Sequence, residues 1–124
     1  MNSWMGTRYM EVEYTQKSTT YRAFVKDNEL TVAGASSLWV IMDEHESTID
    51  DGFFLVTMDD SRPFASSPGN RHDNAYALNF ADAHAAVQKI RDPNLRFSNP
   101  AQGYANSIDW VRLKDMSTLR YSVP

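Results

Sequence analysis

The residues best suited to chemistry crowd into "DEHESTIDDG", residues 43–52, where Asp43, Glu44, His45, Glu46, Asp50 and Asp51 lie close in sequence. Carboxylate oxygens in a loop are hard ligands, and Ca²⁺ takes six to eight of them. Asp43, Asp50 and Asp51 are therefore calcium candidates. The spacing has no Asp-x-Asp-x-Asp-Gly frame, so it is not an EF-hand. The simpler reading is a solvated turn between two strands, with Asp51-Gly52 doing the turning and no cofactor needed.

His45, His72 and His84, with Asp43 or Asp82, have the right types for a transition-metal or hydrolytic site. Position argues against it. His72 precedes one arm of a hairpin and His84 follows its turn. At about 3.3 Å per residue the hairpin length keeps them on the order of 30 Å apart. A structural role fits better: Asp82 accepts turn N–H groups, and His72 ties a long loop to the sheet. Ser47, Ser61, Ser66 and Ser67 have no Gly-x-Ser-x-Gly elbow around them. "SSPGN" has one Gly and no following Lys-Ser/Thr, so it is no phosphate loop. Of three Trp, Trp39 lies in an apolar run and Trp110 on a short helix, and both should be buried. Trp4 is expected at the surface, where it could stack on a sugar.

These residues sit on one domain. The chain has 124 residues, 42% of them hydrophobic, with three Trp, six Tyr and six Phe, enough for one core but not comfortably two. Net charge is −4 and the basic residues form no run, which argues against a nucleic-acid surface. Cysteine is absent, which excludes disulfides and thiolate sites. No apolar run nears the ~20 residues of a membrane span, so the sequence by itself reads as soluble.

Alternation and apolar runs predict the elements. "RYMEVEYT" (8–15) and "TYRAFV" (20–25) read as short strands, and "AGASS" (33–37) as a loop. "LWVIM" (38–42) reads as a strand buried on both faces, or a central strand, pairing antiparallel with "FFLVTM" (53–58). Residues 59–74 and 91–105 carry Pro and Gly and read as long surface loops. "AYALNFADAHAAVQKI" (75–90) reads as a hairpin. A two-residue Asp82-Ala83 turn sets 80 opposite 85, 78 opposite 87 and 76 opposite 89. Tyr76, Leu78, Phe80, Ala85, Val87 and the stem of Lys89 then form the core face. Ala75, Ala77, Asn79, Ala81, His84, Ala86, Gln88 and Ile90 form a small-residue face that another element could approach. "NSIDWVRLKDM" (106–116) reads as a helix capped by Asn106 or Ser107, packed at the sheet edge.

"HDNAYALNFAD", His72 through Asp82, resembles the His-x9-Asp-Gly signature of prepilin-type, pseudopilin-like proteins of some bacteria. The family usually continues Phe-Ala-Asp-Gly-His; this chain reads Phe80-Ala81-Asp82-Ala83-His84. "WVIMDEHESTIDDGFF" is similar to that family's strand–acidic loop–strand segment. "MNSWMG", "QKIRDP" and "IDWVRLKD" are similar to other family positions in the same order. The resemblance implies an α+β, pilin-like globular domain spanning 1–124, with an antiparallel sheet, long loops and a short C-terminal helix. It implies a non-enzymatic subunit for filament assembly or type II secretion, with like or related subunits as partners. Such proteins sit in the cell envelope or an extracellular filament, held by an N-terminal hydrophobic helix that this sequence lacks. "MNSWMG" resembles an interior family segment, so Met1 is read as an internal methionine or a misplaced start. The Ala-rich hairpin face is a candidate groove for that helix. Ala83 replaces a Gly that allows positive φ. Either Ala83 takes that strain, at about 1 kcal/mol, or the turn is type I with a bulge.

Two other readings compete. One is a soluble sugar- or peptide-binding module using Tyr and Trp. The other is a metal-dependent hydrolase built on Asp43, His45 and Asp82.

Overall fold

A computed structural model describes residues 1–6, 20–58, 65–93 and 107–121. Among the described residues three strands, β1 (Trp39–Met42), β2 (Ala75–Phe80) and β3 (Ala85–Lys89), form one antiparallel sheet in the order β1-β2-β3. The α-helix α1 (Ile108–Asp115) follows, and among the described residues two 3-10 segments, Asp27–Val32 and Ala35–Ser37, precede β1. The result is a small mixed α+β domain. Among the described residues no helix is long and apolar enough to cross a membrane.

β2 is the central strand, and its alternation does what the period of two demands. Tyr76, Leu78 and Phe80 are 2%, 0% and 7% exposed. They join Trp4, Trp39, Phe54, Val56, Ile90, Trp110 and Leu113 in the main core cluster. A fully buried side chain of this kind contributes roughly 1.5–3 kcal/mol. A smaller cluster of Met5, Phe24 and Leu38 sits beside it.

The hairpin register differs from expectation by one residue. Leu78 pairs with Ala86, Ala77 with Val87 and Tyr76 with Gln88. The turn is longer than two residues. Ala83 N–H donates to Phe80 O (2.9 Å), Phe80 N–H donates to His84 O (2.9 Å), and Ala83 sits at φ 74°. This is the three-residue loop of a type I turn closed by a left-handed bulge residue. Both sequence alternatives for Ala83 therefore meet in one turn. Because side chains alternate, the one-residue change flips every residue of β3. Ala86, Gln88 and Ile90 face the core side, with Ile90 3% exposed, while Val87 is 66% exposed. The expected core place for Val87, and the expected Ala-rich face, are both corrected. The outward face carries Ala77, Asn79, Ala85, Val87 and Lys89 instead.

β1 also pairs differently. Its partner is β2, through Trp39–Phe80, Ile41–Asn79 and Met42–Leu78, with an irregularity between Trp39 and Ile41. It is neither buried on both faces nor central: Trp39 is 0% exposed but Ile41 is 56%, and β2 holds the middle of the sheet. The 53–58 segment is buried yet forms no ladder with β1. Its neighbour is the chain start, through a parallel bridge between Asn2 and Phe54. "TYRAFV" likewise gives isolated bridges, Met5–Phe24 and Tyr21–Arg120, rather than a strand. The proposed strand at 8–15 and much of the 59–74 and 91–105 loops lie outside the described residues.

α1 matches its expected place. Ser107 Oγ accepts from Trp110 N–H at 3.3 Å, which caps the helix. Asp109 in the first turn accepts the N–H groups of Arg91 and Asp92, the latter at 2.7 Å. Trp110 and Leu113 enter the core, and Arg112 donates to Gln88 Oε1 of β3 at 2.7 Å.

Candidate functional site

The turn 81–84 is the most regular polar arrangement. Asp82 Oδ1 accepts from His84 N–H at 3.1 Å and from His84 Nδ1 at 2.5 Å. The imidazole lies flat on Phe80, with ring centroids 4.3 Å apart and 5° between planes. The His84 backbone donor, followed by its side-chain donor, holds the Asp82 carboxyl below the usual aspartate range. Phe80, Asp82, Ala83 and His84 thus form one closed turn, and they sit at the surface except for Phe80.

His72 is engaged elsewhere. Its Nε2 meets Asp43 Oδ2 at 3.1 Å, just past the end of β1. The same carboxylate oxygen accepts weakly from Ala77 N–H of β2 (3.4 Å). Gly69 N–H donates to Asp43 O (2.9 Å), and Arg71 pairs with Glu46 (2.7 Å). A Cβ on Gly69 would come within 3.1 Å of Asp43 Cβ, so the close approach uses its bare backbone. Residues 67–72 are in this way laid against the acidic loop, and His72 does tie the long loop to the sheet.

The acidic loop is divided among separate partners. Asp43 holds His72. Glu44 accepts from Thr48 Oγ1 (3.0 Å), and partial burial raises its carboxyl above the usual range. His45 Nδ1 accepts from Ser47 N–H (3.2 Å) and contacts Ser47 Oγ (2.8 Å). Asp51 Oδ1 accepts from Phe53 N–H (2.7 Å), the side-chain turn bond that Asp forms readily. Asp50 is exposed. Among the described residues no group of three or more His, Asp or Glu side chains converges on a point where an ion could sit. Asp43, His45 and Asp82 each face a different residue, so the structure does not assemble them as a hydrolytic triad. Ser47 and His45 touch, but both the hydroxyl and the N–H of one residue turn onto the same ring nitrogen, which is turn geometry rather than an activated nucleophile.

Trp4 departs most from expectation. It is 0% exposed, and its Nε1–H donates to Val56 O at 2.8 Å. Trp39 and Trp110 are 0% and 1% exposed. All three indoles are core, and none offers a stacking face to a sugar.

Sequence reasoning missed the polar hub at the chain start. Asn2 and Ser3 are both 0% exposed. Asn2 Nδ2 donates to Trp39 O and Ser117 O, each at 2.9 Å, and its Oδ1 accepts from Trp4 N–H at 3.0 Å. Ser3 Oγ accepts from Val56 N–H at 3.0 Å. A buried Asn next to a buried Ser has no sequence pattern to announce it. A groove of about 360 Å³ between Tyr21, Met58, Val111, Lys114, Thr118 and Arg120 also went unforeseen. None of the His, Asp or Glu candidates lines it.

A comparison with family models, curated proteins and solved structures finds no match for this chain.

Proposed function

We propose that the chain is a non-enzymatic structural subunit, the globular domain of a pilin- or pseudopilin-like protein that serves filament assembly or type II secretion in the cell envelope. The observation that carries this reading is the use of the signature residues. His72 clamps the loop after β1, and Asp82 closes the hairpin turn. Residues engaged in this way hold a platform. The sealed inner sheet face and the polar loops around it fit a subunit whose work is packing and display. Its partners would be like or related subunits.

The test is a tagged copy at the native locus. Sheared filaments and envelope fractions are analysed by mass spectrometry, with and without the cell's prepilin peptidase. The reading expects the chain in those fractions, joined to an upstream apolar segment whose leader is cleaved only when the peptidase is present. A chain found only in the soluble fraction, with no upstream segment, would contradict it.

A further inference from the structure

Among the described residues the sheet ends at β3, and the parity of its hydrogen bonds shows what its outer edge offers. Phe80 N–H donates to His84 O, and Ile90 N–H donates to Asn74 O at 2.8 Å. The even-numbered residues of β3 therefore turn their backbone groups toward β2. Ala85, Val87 and Lys89 must point their N–H and C=O groups away from the sheet. All three residues are exposed. Edge strands are usually blunted by charge, proline or a covering segment. Here the charge is Lys89, and it leans 3.5 Å from Asp73 of its own chain.

We propose that β3 is a self-association edge, on which two copies of this chain pair β3 to β3, antiparallel, about a two-fold axis through Val87. In that register Val87 opposes Val87 of the second copy, and Ala85 opposes its Lys89. Every outward N–H of Ala85, Val87 and Lys89 then finds an outward carbonyl. A displacement by one residue sets outward groups against inward ones, and a displacement of the axis by one residue leaves some unmatched. Charge favours the same arrangement. The strand ends at Lys89. In this register Lys89 stands opposite Ala85 of the second copy, whereas parallel pairing would set Lys89 beside Lys89. The sheet would double, with both sealed faces on one side. This holds for a soluble pair as well as for a filament, so it does not rest on the function proposed above.

The chain has no Cys, so single substitutions report cleanly. A hydrogen-bonded antiparallel pair holds its Cα atoms about 5.5 Å apart, inside the roughly 4.4–6.8 Å that a disulfide spans. Under mild oxidation the Val87→Cys chain should crosslink to itself many-fold faster than a Val32→Cys control, whose parent residue is 59% exposed. Ala85→Cys and Lys89→Cys chains should crosslink to each other rather than each to itself. Val87→Pro removes one outward N–H without touching the β2 ladder, so it should abolish association while the circular dichroism spectrum stays that of the parent. Crosslinking of Val87→Cys no faster than the control, or association unchanged in Val87→Pro, overturns the proposal.

Discussion

Hairpin β2–β3 closes by backbone groups facing backbone groups, whereas segment 53–58, buried in the same core, closes largely on side chains. In the hairpin the ladder pairs set the register, and the side chains fill the core. In the other region Leu55 N–H donates to Ser66 Oγ (2.9 Å), Val56 N–H to Ser3 Oγ, and Val56 O accepts the Trp4 indole. The backbone rule is the same in both: a buried N–H or C=O must find a partner. The ladder satisfies it with a repeating pattern, and the second region satisfies it with individual polar residues that must each be correct. Substitutions should therefore act differently in the two places.

The largest effect is expected at Asn2. Asn2→Ala leaves the Trp39 and Ser117 carbonyls and the Trp4 N–H buried without this partner, and should cost about 4 kcal/mol in urea denaturation. Leu78→Ala, at the centre of the ladder, removes apolar volume but no hydrogen bond. It should cost about 3 kcal/mol by the same measurement. If Asn2→Ala proves the milder of the two, the side-chain region is less demanding than described.

A gain is expected at the turn. Ala83 carries a Cβ at φ 74°, a conformation that glycine adopts freely. Ala83→Gly should stabilise by about 1 kcal/mol and raise the melting temperature by about 4 °C. A melting temperature unchanged or lowered would mean that the turn is not strained there.

The smallest effect concerns pH. The Asp82 carboxyl lies below its ordinary value in the folded chain, so its contribution is present above the unfolded value and is lost as pH falls through the folded one. Asp82→Asn should lower the melting temperature slightly at neutral pH, and the difference from the parent should vanish in acid. Glu44 has the opposite sign. Burial raises its carboxyl, so the folded chain loses stability as pH rises through that range. Glu44→Gln should therefore be neutral or mildly stabilising at neutral pH, and a marked loss would show that its charge is needed.

The same contrast explains what could be read from the sequence. Alternation at Tyr76, Leu78 and Phe80 announced β2 and its buried face. Ser107 followed by Asp109 and Trp110 announced α1. The sequence places the turn at the right point but one residue short, because Asp82-Ala83 between alternating strands looks like a two-residue loop and Val87 looks like core. Ala83 where a Gly is expected leaves a bulge open as one reading of the turn, but nothing in the residue types shows that the flip of β3 follows from it. The oily runs 38–42 and 53–58 suggest a pairing that the fold does not make, since β1 pairs with β2. The true partner of 53–58 is the chain start, whose Asn2 and Ser3 look like surface residues. Trp4 reads as a surface residue for the same reason: it follows Asn2 and Ser3, which are buried with it. At the candidate site, the structural parts of His72 and Asp82 were legible from chain position. The separate partners of Asp43, His45 and Asp51 were not, because they depend on where the 65–72 segment returns.

The central claim is that polar side chains hold segment 53–58 in the fold as firmly as the ladder holds the hairpin, and native-state amide exchange tests it most directly. The Leu55 and Val56 amides, bonded to serine hydroxyls, should exchange as slowly as those of Leu78 and Ala86 in the ladder, all of them opening only with global unfolding. Exchange at Leu55 and Val56 near the rate of free peptide, with the ladder still protected, would contradict the account.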